Sequence, residues 1–216
     1  CRGYLEPGDF VWFAKPPVGD NARIGVLARR HHHRATATNE VLRLLASGYR
    51  LLDRMTDGFH GGEMIVIAAR PSVGKTSLAM NIVEHAVIDQ KLPVGVFSLE
   101  MTSESLVLRM LCSRSRVNMR NIRDGFLAER DFPKLTGAAG KLAAAPLFID
   151  DSAGLSVLQL RAKARRMHQQ YGIKLFVIDY LQLLHSTSRR AENRQQEIAD
   201  ISNGVKGLAK ELNVPV

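Results

Sequence analysis

The chain has 216 residues, 45% of them hydrophobic and 24% charged, the composition of an ordinary packed globule. No apolar run approaches the roughly 18 residues of a membrane span, and the first 30 residues lack the apolar core of a secretory signal, so a cytoplasmic protein with no membrane role is expected. Two distant cysteines, Cys1 and Cys112, give neither a disulfide framework nor metal-ligand spacing.

Thirty Lys and Arg against 21 Asp and Glu leave a formal charge of +9, which suits a polyanionic partner. Two runs concentrate it: Arg109, Arg114, Arg116, Arg120 and Arg123, then Arg161, Lys163, Arg165 and Arg166. Solvated helix faces are the plain alternative for both.

In chain order, residues 1–38 form an extension with no assigned role. It holds Pro7, Pro16, Pro17 and the only tryptophan, Trp12, and "DFVWF" has the composition of a short strand without an evident hairpin partner. His31 to His33 are adjacent, so in extended chain they point to alternating faces; a tag remnant or basic loop suits them better than a metal site. Residues 39–62 are a helical lead-in. Its period runs through Val41, Leu44, Leu45, Leu51, Leu52 and Met55, interrupted at Gly48.

From residue 63 to 216 strands and helices alternate. "MIVIAA", "PVGVFSLE", "PLFID" and "IKLFVIDYLQLL" are nearly continuous apolar runs, as strands are when helices cover both sheet faces. Leu78, Ala79, Ile82, Val83, Ala86 and Val87 make one helical stripe; Ser156 and Gln159 form a capping box for another helix. Ile198, Ile201, Val205, Leu208 and Leu212 mark the last helix, and "NVPV" starts a fifth strand. The expected fold class is α/β: a mostly parallel sheet flanked by helices, incomplete at its C-terminal end.

"ARPSVGKT", Ala69 to Thr76, fits the phosphate-loop pattern at every fixed position but the first, where alanine replaces glycine, and it lies between an apolar strand and an amphipathic helix. Backbone N–H groups from Ser72 to Thr76, at a helix N-terminus with about half a positive charge, suit a β-phosphate. Gly74 allows close backbone approach, Lys75 reaches the β- and γ-phosphates, and the Thr76 hydroxyl ligates Mg²⁺. Arg70, Pro71, Val73 and Ser77 complete the ATP-binding stretch, with Pro71 stiffening the turn. A strand-to-helix turn that binds nothing is the alternative.

Two carboxylates complete the expected site. Asp179 ends the strand in "LFVIDY" as a Walker B aspartate does, placed to hold the hydration shell of Mg²⁺. Glu100 ends the neighbouring strand in "VFSLE" and is expected to orient the attacking water or take its proton. A turn cap for Asp179 and a helix-flanking acid for Glu100 are the alternatives.

Together "DRMTDGFHGGEMIVIAARPSVGKTSLAMNI", "VFSLEM", "RMLC", "LFVIDYLQLL" and "NRQQEIADISNGVKGLAKELNVPV" resemble the ATPase domain of the bacterial replicative DNA helicase (DnaB) family, from about Gly48 to Val216. An alanine-initiated loop is usual in that family. The resemblance implies a RecA-like P-loop core, here partial over 63–216, with ATP and Mg²⁺ as cofactors. It also implies a homo-hexamer in the full-length protein, 5′-to-3′ translocation on single-stranded DNA, and helicase loader and primase partners. By the same resemblance Arg109 lies near the nucleotide phosphates. The family continues past "NVPV" with a sensor strand, channel loops and an arginine finger, so these 216 residues alone are expected to bind nucleotide weakly at most and not to unwind DNA.

Within "HSTSRRAENRQQ", Arg189, Arg190 and Arg194 sit where RecA-like folds often place a channel loop, as candidate DNA contacts. An exposed connecting loop is the equal alternative. Another RecA-like ATPase of recombination or repair, and a non-catalytic assembly fragment, are the rival functions; strand displacement against strand exchange separates the first, nucleotide calorimetry the second.

Overall fold

The computed structural model describes Gly25–Ala28, residues 45–185 and residues 194–216. Strand β1 (Gly25–Ala28) pairs antiparallel with β2 (Ile65–Ala68), a partnership that composition did not announce. Helix α1 (Arg50–Thr56) lies between them in sequence, and α2 (Lys75–Glu84) follows β2 and runs on as a π-helical turn, His85–Asp89. Then come β3 (Val94–Ser98), α3 (Ser103–Ser115), α4 (Met119–Arg123), α5 (Phe132–Ala143) and β4 (Leu147–Asp150). The chain closes with α6 (Val157–Tyr171), β5 (Leu175–Asp179), a 3₁₀ turn at Leu181–Leu183, and α7 (Arg194–Leu212).

Strands β4, β3 and β5 form a parallel sheet in that order, with Val94 in register with both Leu147 and Leu175. All five residues of β3 are buried, which accounts for its unbroken apolar run: it is the middle strand and both of its faces are covered. Alternate side chains go to different cores. Val94 and Val96 pack with Ile82 and Val83 of α2, Ala86 and Val87 of the π-helical turn, and Leu106 and Met110 of α3. Phe97 packs on the opposite face with Leu160 and Ala164 of α6 and Ile201, Val205 and Leu208 of α7.

Val214–Val216 runs between β5 and β2. Phe176 N donates to Pro215 O at 3.0 Å, Ile65 N to Val216 O at 2.8 Å, and Val216 N to Glu63 O at 2.9 Å. The paired bonds of Val216 with Glu63 and Ile65 are those of parallel neighbours, although Val214–Val216 does not form a regular strand, where "NVPV" led one to expect one. Beyond these contacts a cavity of about 320 Å³ separates β2 from β5 and extends to Ala69, Lys75, Asp179 and Tyr180.

The lead-in differs from expectation. Among its described residues only Arg50–Thr56 is helical; Leu45 instead bridges to Phe59, and Leu51 is 69% exposed. Gly48, at φ +84°, turns the chain out of helical geometry and sits against the His85 ring, where a Cβ would come within 2.8 Å. The "DFVWF" strand, His31 to His33, Val41 and Leu44 lie outside the described residues.

The capping box is present: Ser156 Oγ accepts from Gln159 N at 3.3 Å and Ser156 N donates to Gln159 Oε1 at 2.9 Å. Helices α6 and α7 are clamped by Glu211, which accepts from Arg165 Nη2 and Arg161 Nη2, each at 2.9 Å. So part of the second basic run neutralises a carboxylate of its own chain.

Two outcomes follow from this packing. A Cβ at Gly95 would lie 2.6 Å from the Phe176 ring, so Gly95→Ala should destabilise the chain by about 1–3 kcal/mol in urea unfolding. Hydrogen bonds from Arg165, then Arg161, lower the Glu211 pKa from 4.5 to about 2. Because the folded pKa is the lower one, the clamp contributes fully above 4.5 and is lost as pH falls through 2. The gap in melting temperature between the parent chain and Glu211→Gln should therefore close across that window.

Candidate functional site

Asp179 ends β5 opposite Ser98 of β3, and Leu99 N donates to Asp179 O at 2.8 Å, so the carboxyl ends of the two strands are level. The phosphate-loop turn follows β2, and α2 opens at Lys75, directly behind Gly74. This geometry brings residues 75, 76 and 179 together across more than a hundred positions of sequence. Thr76 Oγ1 donates to Asp179 Oδ2 at 2.6 Å, and Lys75 Nζ lies 3.1 Å from Asp179 Oδ1.

Asp179 is only 8% exposed, among apolar strand residues, where an ionised carboxylate is costly unless paired. Here each carboxylate oxygen has a partner, one neutral donor and one cation. Since the Thr76 hydroxyl spends its proton on Asp179, its oxygen lone pairs stay free. A hydroxyl oxygen beside a carboxylate is the hard-oxygen donor set that suits Mg²⁺. Among the described residues no cluster of three or more His, Cys, Asp or Glu gathers elsewhere to hold a metal.

The loop backbone explains its glycine. Gly74 adopts φ +104°, and a Cβ there would meet nothing within 4 Å. Glycine is therefore required by conformation, with open space in front of the turn where a ligand could approach. Ser72 also has positive φ, at 63°. Val73 N turns inward and donates to Arg70 O at 3.4 Å, so the row of amides from Ser72 to Thr76 is interrupted at its second member. Ala69 is half-buried at the end of β2, while Arg70, Pro71, Ser72 and Ser77 are exposed.

Glu100 is exposed, two residues beyond Ser98, on the rim that β3 shares with Asp179. Helix α3 starts just after it, held by Thr102 Oγ1, which accepts from Ser105 N at 3.4 Å, and by Asp151 Oδ2, which accepts from Ser103 N at 2.8 Å. That second bond lowers the Asp151 pKa. Nine positions on from Glu100, Arg109 lines a cavity of about 190 Å³ with Thr76, Asn81, Met110 and Ser113. The arginine thus shares this cavity with the first two turns of α2.

Other members of the basic runs are engaged within the chain. Arg114 pairs with Glu84 at 3.3 Å; burial raises the Glu84 pKa, and Arg114 opposes the rise. Arg194 Nη1 lies 2.7 Å from Glu197 Oε2, and Arg194 Nη2 donates to the Gln182 carbonyl at 2.8 Å. Arg189 and Arg190 lie outside the described residues. Residue-by-residue reading missed Tyr180, whose ring centroid is 4.1 Å from Lys75 Nζ. Its place directly after the strand-end aspartate was the available signal.

Residues 45–216 match the family model described as the DnaB-like helicase C-terminal domain. The replicative DNA helicase DnaB of Geobacillus stearothermophilus is 47% identical over 172 residues, which are 80% of this chain and 38% of that protein. The replicative DNA helicase DnaC of Bacillus subtilis (strain 168) is 46% identical over the same shares of the two chains. One solved ATPase domain has a TM-score of 0.73 at 31% identity, covering 81% of this chain and 62% of that one. A DnaB-like replicative helicase, solved in work on its interactions with primase, has a TM-score of 0.71 at 30% identity over 82% and 43%. The architecture is thus the RecA-like fold of these ATPase domains. This chain spans under two fifths of the two curated relatives' length.

The positive φ of Gly74 has a measurable cost when replaced. Gly74→Ala should lower stability by about 1–2 kcal/mol in urea unfolding, the penalty of a left-handed backbone carrying a Cβ. An unchanged midpoint would show that the turn takes another shape in solution.

Proposed function

This chain belongs to the DnaB-like helicase C-terminal domain family, whose members use nucleotide, and on that premise we propose that it is the ATPase portion of a replicative DNA helicase. In this reading ATP hydrolysis drives 5′-to-3′ movement along single-stranded DNA and opening of the duplex. The observation that carries it is the meeting of Lys75, Thr76 and Asp179 at the open face of a strand-to-helix turn.

Each residue has a task. The turn Ala69–Ser77 lays its free amides and the positive end of α2 against the phosphates, and Lys75 neutralises the terminal ones. Thr76 and Asp179 would hold Mg²⁺, the first directly and the second through its hydration shell; when bound, the ion screens the phosphate charge developing during transfer. Glu100 orients the water and accepts its proton. Arg109, across the small cavity from Thr76, supports the phosphate charge.

The assembly we propose for the complete protein is a homo-hexameric ring with ATP between subunits, on which loader and primase dock. One structural neighbour was itself solved in work on its interactions with primase. Arg189, Arg190 and Arg194 are the proposed strand contacts, neutralising DNA phosphates in a salt-dependent way. Arg194 would have to exchange its Glu197 partner for phosphate to take part.

Glu100→Gln should leave MgATP affinity in place and reduce DNA-stimulated phosphate release by the assembled helicase about 10²- to 10⁴-fold. Lys75→Ala should instead weaken MgATP binding about 10- to 100-fold in calorimetry, the worth of a charge-assisted contact. Full turnover by Glu100→Gln would remove that residue from the mechanism. Unaltered affinity in Lys75→Ala would remove the nucleotide site.

A further inference from the structure

The lysine of the phosphate loop already has two partners in the folded chain, and neither is a phosphate. Its ammonium lies 3.1 Å from Asp179 Oδ1 and 4.1 Å from the centroid of the Tyr180 ring. Both Lys75 and Tyr180 line the cavity between β2 and β5. Asp179 alone fixes the ammonium's distance from the carboxylate but leaves the four-carbon stem free to swing. The ring face adds a second, directional attraction through its quadrupole, and with the Lys75 side chain only 28% exposed, that attraction is partly sheltered from water.

We propose that Tyr180 is a positioning residue, its ring face holding the Lys75 ammonium beside Asp179 in the nucleotide-free protein and releasing it to the phosphates as nucleotide binds. The inference rests on the ATP-binding reading above. Its energetic consequence has a definite sign. A contact made only before binding opposes binding, so losing the ring tightens nucleotide affinity, by about 2- to 10-fold for a contact of this kind. The hydroxyl of Tyr180 plays no part, and phenylalanine should serve equally well.

The test is side-chain ¹H–¹³C NMR of the whole chain, with Lys75→Arg used to assign the Lys75 Hε resonance, combined with MgATP calorimetry. Protons over a ring face resonate upfield. The free protein and Tyr180→Phe should show an upfield Lys75 Hε signal that moves to the ordinary lysine position when MgATP saturates the site. Tyr180→Leu should lack the shift and bind MgATP about 2- to 10-fold more tightly. An ordinary Hε position in the free protein, a shift that survives nucleotide, or unchanged or weaker affinity in Tyr180→Leu would each overturn the proposal. Failure of the parent chain to bind MgATP would remove the nucleotide reading and the release step together. The Hε shift of the free protein would still decide whether the ring holds the lysine.

Discussion

One carboxylate organises this domain. Asp179 arrives at the end of β5 almost without solvent, and the cost of its charge is offset only because the first turn of α2 brings a hydroxyl to one oxygen and an ammonium to the other. Neither partner could be there without the glycine before them, whose φ of +104° turns the chain from β2 into α2. Nor could the aspartate be there unless β5 lay in register with β3, with Ser98 opposite it. Binding chemistry and fold are thus joined through the same few atoms.

Those partners are also the atoms that a nucleotide and its metal would claim. The Thr76 oxygen keeps its lone pairs while its proton serves Asp179, so a cation can join this pair without breaking it. The Lys75 contact is different, because in the proposed role its ammonium leaves the Tyr180 ring for the phosphates. On that proposal one half of the arrangement is ready for binding and the other half rearranges. The alanine at position 69 is compatible with both, since it sits half-buried at the strand end while the tight turn is made farther on, at Ser72 and Gly74.

Much of this was legible in the residues. Continuous apolar runs marked β2 to β5, the central β3 because helices bury both of its faces, and the Ser156–Gln159 spacing located the start of α6. The meeting of Lys75 and Thr76 with Asp179 was legible because a glycine-led strand-to-helix turn and a strand-end acid each carry a sequence signature. Of the lead-in, the part beyond Gly48 is helical as its period indicates, whereas ahead of Gly48 the backbone makes Leu45 a bridge with Phe59. Strand β1 was hidden because "GVLA" is too short to carry a period and its partner lies some forty residues away. The ion pairs of Arg114, Arg161 and Arg165 were equally invisible, because a basic run does not say whether its counter-charge is a ligand or a distant side chain.

The attachment of β2 has a mechanical meaning. Among the described residues β2 pairs with β1 along its whole length, from Ile65 opposite Ala28 to Ala68 opposite Gly25, and at its starting end Glu63 and Ile65 also bond Val216. The strand that carries the phosphate loop is thus braced on one side up to its last residue, while the loop itself reaches across to β5 through Lys75 and Thr76 on Asp179. Any displacement of β1 would therefore reach the root of the loop through backbone pairs, with no helix between them.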